Sequence, residues 1–187
     1  MDPAEDEELM LASGRGDRAA FAELVRRHLG RSNAIAVRML GSAAEAEEVV
    51  QEAFLRVWQK APSWRKDGGA RVSTWLARVI VNLCIDRRRR ARSVPLEEVP
   101  EMPDTAPAAD DTLALEERRQ RVAAALAELP DRQRAAVVLS YYEGLSNAEV
   151  AGALEISVGA VESLLVRARR SLAGLLADLA RTEGVAT

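Results

Sequence analysis

Between Ser93 and Thr112 the chain carries four prolines (Pro95, Pro100, Pro103, Pro107) and six acids (Glu97, Glu98, Glu101, Asp104, Asp110, Asp111), with no basic residue among them. Proline lacks the amide proton a helix needs, and like charges in a run repel, so this stretch is expected to be extended. It divides the 187 residues into two blocks. Aromatics are only 4% of the chain, while Ala, Leu, Arg and Glu abound. These are good helix formers, and no alternating strand pattern competes with them. The expectation is an all-α protein of two small helical domains, residues 1–92 and 113–187, joined by a flexible acidic linker over 93–112. The plainest role for that linker is a tether.

In the first block, Ala46, Val49, Val50, Ala53, Phe54, Val57 and Trp58 recur at spacings of three and one, which makes one apolar stripe on a helix. Gly41-Ser42 precedes it as turn and cap, and Pro62 ends it. An earlier helix is expected over Arg18–Met39, with Phe21, Leu24, Val25, Leu29, Ile35 and Met39 facing the core. Asp67-Gly68-Gly69 reads as a loop. A further helix begins near Ser73 and places Trp75, Leu76, Val79, Ile80, Leu83 and Ile85 inward.

In the second block a helix over Leu113–Leu129 stops at Pro130, and Asp131 is expected to cap the next, which runs through Tyr142. Gly144 breaks the pattern, and Ser146 with Glu149 forms a capping box for a third helix. Asn147 to Leu165 has the spacing of a helix-turn-helix. Val150, Ala151 and Leu154 face inward, Ile156 plugs the turn, and Val161 with Leu164 or Leu165 faces back from a helix that Ser157 can cap. The turn position where glycine is usual holds Glu155, which costs about 1–2 kcal/mol if left-handed. Short helical hairpins without DNA share such patterns, so the spacing alone leaves both readings open.

The net charge of −3 does not suggest a nucleic-acid binder, but the charge is uneven. Arg87, Arg88, Arg89, Arg90 and Arg92 crowd the end of the first block, and Arg167, Arg169 and Arg170 follow the helix-turn-helix. Basic residues at a helix C-terminus can be simple caps. Five arginines in six positions exceed that need and favour a phosphate-binding patch. Trp58 and Trp75 read as core, whereas Trp64, beside Arg65 and Lys66, could pack or stack on a base. Cys84 and His28 are the only cysteine and histidine. They cannot build a four-ligand zinc site, and neither a catalytic constellation nor a cofactor is expected. Cys84 reads as a buried apolar residue. No apolar run approaches the ~18 residues of a membrane span, and Met1–Glu8 is acidic, unlike a signal peptide. A cytoplasmic protein, without membrane insertion or a small-molecule substrate, is expected.

Taken together these segments resemble the extracytoplasmic-function (group IV) sigma factors of bacterial RNA polymerase. Glu45–Trp58 resembles the family's polymerase-binding helix, and Thr74–Arg88 its promoter-melting helix. Leu129–Arg134, Tyr141–Ser146, Ile156–Val161 and Arg167–Arg169 resemble its minus-35 reader. The order and the linker match over nearly the whole chain. The resemblance implies that Glu47, Glu48, Gln51, Glu52 and Arg56 dock on the clamp helices of the polymerase core, with the flap a further contact. It implies that Arg65, Lys66, Arg71, Asn82, Asp86, Arg87, Arg88, Arg89 and Arg90 hold the minus-ten element. Ser157, Glu162, Ser163, Val166, Arg167, Arg169 and Arg170 would meet the minus-35 element. An anti-sigma factor would clamp the two domains, which could also fold onto each other when idle. Glu162 and Leu164 depart from the family, which often has bases there, so an unusual or weaker minus-35 preference is expected. Glu162→Lys with Leu164→Arg should then tighten DNA binding. Two rivals remain: a helix-turn-helix regulator that never joins polymerase, and an anti-sigma-binding decoy.

Overall fold

A computed structural model of the chain describes residues 3–65, 71–93 and 110–177. The expected loop at Asp67–Gly69, Lys66, and most of the acidic linker lie outside these residues. The fold is all-α, in two helical domains. The first set comprises α1 (Pro3–Gly14), α2 (Arg18–Leu40), α3 (Ala43–Lys60), a 3-10 turn at Ala61–Ser63, and α4 (Val72–Ser93). The second comprises α5 (Asp110–Glu128), α6 (Asp131–Val137) running into a π-turn at Val138–Tyr142, α7 (Asn147–Leu154) and α8 (Val158–Leu175).

Local chemistry sets the boundaries. Asp17 caps α2, accepting from the amides of Ala19 and Ala20, and Gly41 closes it at φ 78°. Ser42 then caps α3. The α3 stripe is buried from Ala46 to Val57, with Trp58 half-buried edge-on to Phe21 at 5.0 Å. Ser146 and Glu149 satisfy each other in a complete capping box at α7, and Ser157 caps α8 through the Ala160 amide. Buried apolar side chains of both sets join in one contiguous cluster. Among the described residues no helix is long and apolar enough to cross a membrane.

Three expectations are corrected. Leu29 is 48% exposed, and the α2 stripe runs instead through His28, 2% exposed. The buried imidazole is acceptable there because α1 brings Asp6 to it, with Nε2 to Oδ2 at 2.9 Å. Second, α1 itself is a helix where only an acidic segment was read; it buries Asp6, Met10 and Ser13. Its Gly14 backs onto the 3-10 turn so closely that a Cβ would stand 2.4 Å from the Ala61 carbonyl oxygen. Third, Asp131 does not cap α6. Pro130 holds the cap position without a side-chain bond, and the Asp131 carboxylate accepts from Arg88 at 2.6 Å and Arg92 at 2.8 Å. Trp64 resolves toward packing: it meets Trp75 edge-on at 5.5 Å and donates its indole N–H to Glu7 at 2.6 Å.

Candidate polymerase and nucleic-acid interface

Burying the α3 stripe turns its opposite side outward. Glu47, Glu48, Gln51, Glu52 and Arg56 are all exposed there, one acidic ridge along a rigid helix. Arg56 pairs with Glu52 at 3.0 Å, one turn away. The ridge is polar except at its centre, where Leu55 is 57% exposed. The sequence reading missed Leu55. The available signal was a leucine off the apolar stripe, between Gln51, Glu52 and Gln59 on neighbouring turns.

The residues expected at the minus-ten element separate into groups. Asn82, Asp86, Arg87 and Arg88 are half-buried along α4, while Arg89 and Arg90 are exposed near its end. Arg87 turns to α3, donating to Glu45 at 2.9 Å and Glu48 at 2.6 Å. Those carboxylates push its pKa further up. Arg88 turns to Asp131 of the second set. Arg89 reaches Asp86 at 3.1 Å. Arg65 is exposed just after the 3-10 turn. Arg71 stands exposed before α4, on a groove of about 390 Å³ walled by Trp75 and Arg78 on one side and by Glu149, Gly152 and Ala153 of α7 on the other. The arginine run therefore does not form one free basic patch, because carboxylates draw much of it aside.

The helix-turn-helix is formed by α7 and α8. Val150, Ala151, Leu154, Val161 and Leu165 are buried, and Ile156 and Leu164 are half-buried. Glu155 holds the turn at φ 54°, ψ 48°, the only described residue other than glycine with positive φ. Ser157 at the cap of α8, and Glu162, Ser163, Val166, Arg167, Arg169 and Arg170 along the helix, are exposed. Arg167 and Arg169 lie along the helix, donating to the Ser163 and Leu165 carbonyls. Val158, 43% exposed in the first turn, adds an apolar side chain to that face, one that the sequence reading passed over.

Comparison with known proteins shows which family the chain belongs to. The Sigma-70 region 2 family matches residues 24–94, and the Sigma-70 region 4 family matches residues 119–172. The ECF RNA polymerase sigma factor SigM of Mycobacterium tuberculosis (strain ATCC 25618 / H37Rv) is 41% identical over 93% of this chain and 86% of its own length. The chain belongs to the extracytoplasmic-function sigma factors.

SigW of Bacillus subtilis (strain 168), an ECF RNA polymerase sigma factor too, is 32% identical over 88% of this chain and 93% of its own. Among solved structures, CnrH in complex with the cytosolic domain of CnrY superposes with a TM-score of 0.68 and 31% identity, over 93% of this chain and 98% of that one. The sigma factor RpoE in complex with the anti-sigma factor NepR, from Bartonella quintana, gives 0.65 and 26%, over 83% and 96%. In this sigma factor, region 2 spans the matched part of α2–α4, and region 4 spans the matched part of α5–α8.

Proposed function

We propose that this sigma factor directs core RNA polymerase to specific promoters, through residues 1–92 for core binding and minus-ten melting and residues 113–187 for minus-35 recognition. Residues 93–112 link the two. The work is recognition and strand separation rather than covalent chemistry, and it takes place in the cytoplasm, with the polymerase. The exposed ridge of Glu47, Glu48, Gln51, Glu52 and Arg56, with Leu55 at its centre, supports docking on the clamp helices. The ridge carries the proposal, because free-standing DNA binding gives it no role. The flap is the second core contact, made by region 4.

On the DNA side, Asn82, Asp86, Arg87, Arg88, Arg89 and Arg90, with Arg65, Lys66 and Arg71, serve the minus-ten strand. The exposed α8 face serves the minus-35 duplex, its arginines on phosphates and its first turns in the major groove. Glu162 there can accept from a cytosine amino group but repels phosphate. The two superposed structures each hold a partner protein, in one case an anti-sigma factor by name, which favours control of this chain by an anti-sigma factor in a stress or signal response.

The test is binding to purified core polymerase. Glu48→Arg with Glu52→Arg should weaken core binding by at least tenfold, with helix content unchanged. Unchanged core binding would remove the ridge from the interface. No binding by the wild-type chain would favour a regulator that acts without polymerase.

A further inference from the structure

One exposed ridge of α8 is apolar at both ends. Val158 is 43% exposed in the first turn and Val166 is 49% exposed two turns later, with exposed Glu162 midway between them. Steps of four residues put all three on one ridge. Nothing inside the chain asks for apolar side chains there. α8 packs on α6 and α7 and buries Val161, Leu165 and Ala168, none of them on the ridge. Region 4 meets region 2 along a seam of ion pairs, Asp131 with Arg88 and Arg92 and Glu155 with Arg78, none of which involves the ridge either. Valine is also a poorer helix former than the arginine, lysine or glutamate usual at exposed helix positions. The two valines therefore face something outside the chain.

The polar groups around them narrow what that is. From Val158 to Val166 the sequence holds no arginine, lysine, asparagine or glutamine, the side chains that pair two-pronged with guanine or adenine in the major groove. The Ser163 hydroxyl donates back to the Gly159 carbonyl at 2.9 Å, which uses its one donor. Arg167 is drawn along the helix toward the Ser163 carbonyl at 3.2 Å. What remains to tell one base from another is two branched apolar side chains and one carboxylate. In the major groove the apolar mark that distinguishes a base is the 5-methyl group of thymine. Arg169 and Arg170, exposed in the following turn, supply the charge that attracts a duplex. At about 1.5 Å per residue, Val158 and Val166 stand about 12 Å apart along the helix axis, a span of about three to four base steps.

We propose that the chain selects its minus-35 element through thymine methyl groups: Val158 closes on one and Val166 on another, about three to four base steps apart, with the Glu162 carboxylate between them. This rests on the reading of α8 as the minus-35 helix and names what that helix recognises. Affinity then comes from the arginines on phosphates, and selectivity from the valines on base edges.

The test uses the full chain, whose α8 face is exposed, and duplex DNA of about 20 base pairs with a randomised centre. The pool is selected for binding at about 0.05 M salt, where phosphate contacts are strong. The enriched duplex is then remade with deoxyuridine at one thymine position at a time. Deoxyuridine differs from thymidine by the 5-methyl group alone. Two positions, three or four steps apart, should each lose about fourfold in affinity, the ratio that burial of one methyl group gives. Val158→Ala should abolish the loss at one of them and Val166→Ala at the other, each leaving its partner's intact. Both valines are exposed and alanine is the better helix former, so these variants keep the fold. Arg167→Ala with Arg170→Ala checks the underlying reading and should weaken every duplex alike. No enriched sequence, no deoxyuridine effect, or an effect that both alanine variants retain would overturn methyl reading by the valines, while the arginine variant still places α8 on DNA. Unchanged binding by the arginine variant would remove α8 from the DNA interface, and the proposal with it.

Discussion

Glu155 sits at φ 54°, where glycine bears no steric penalty and a side chain costs about 1 kcal/mol. At high salt, where the Arg78 pair is screened, Glu155→Gly should stabilise the chain toward urea by about 1 kcal/mol. Glu155→Ala, which keeps the strain and loses the pair, should give no gain. Equal effects of the two would show that the backbone there is not strained. Cys84 lies fully buried beneath α3, and burial pushes its thiol pKa up to about 12. At pH 8 it should resist a maleimide in the native protein and react promptly in urea; rapid native labelling would contradict the packing. At the DNA face, Leu164 packs half-buried while Glu162 is exposed. The charge reversal belongs at Glu162 alone, and Glu162→Lys should tighten binding to duplex promoter DNA with a steeper salt dependence. Residue identity was legible where periodicity and capping chemistry agree, as along α3 and at Ser146, Glu149, Glu155 and Ser157. It was not where a distant partner decides: His28 displaces Leu29 from the core only because Asp6 arrives from α1. Asp131 gave up the expected cap because two arginines lie across the seam.

Among the elements, α7 is only eight residues long and leans heavily on its first turn. Ser146→Ala should destabilise the chain by about 1 kcal/mol at neutral pH. Bonds from the Ser146 amide and hydroxyl hold the Glu149 carboxyl below its ordinary pKa of 4.5. The contribution of Glu149 is therefore complete above that ordinary value and disappears as pH falls through the lower folded value. Urea titrations of Glu149→Gln against wild type should converge in acid; a constant difference would contradict the charged capping box. On α3, Leu55→Ala should weaken core polymerase binding without loss of stability, since the side chain is exposed. Helix periodicity made α2, α3, α4, α7 and α8 readable. The twelve residues of α1 gave too weak a stripe, and the π-turn after α6 leaves no mark in side-chain spacing.

At the scale of the molecule, composition and order of segments were enough for an all-α chain in two domains. The seam between them was not legible in detail. Its partners, such as Arg31 and Glu143 or Arg88 and Asp131, stand 112 and 43 residues apart and repeat no pattern. The acidic whole-chain charge misleads for the same reason, because it averages over arginines and carboxylates that the fold sorts onto opposite sides of one contact.

The most direct measurement is run-off transcription by purified core RNA polymerase on genomic DNA fragments, with and without this protein. Specific transcripts that appear only with the protein are the predicted result. Core polymerase that binds the protein yet yields no specific transcript on any fragment would contradict the claim that this chain directs initiation.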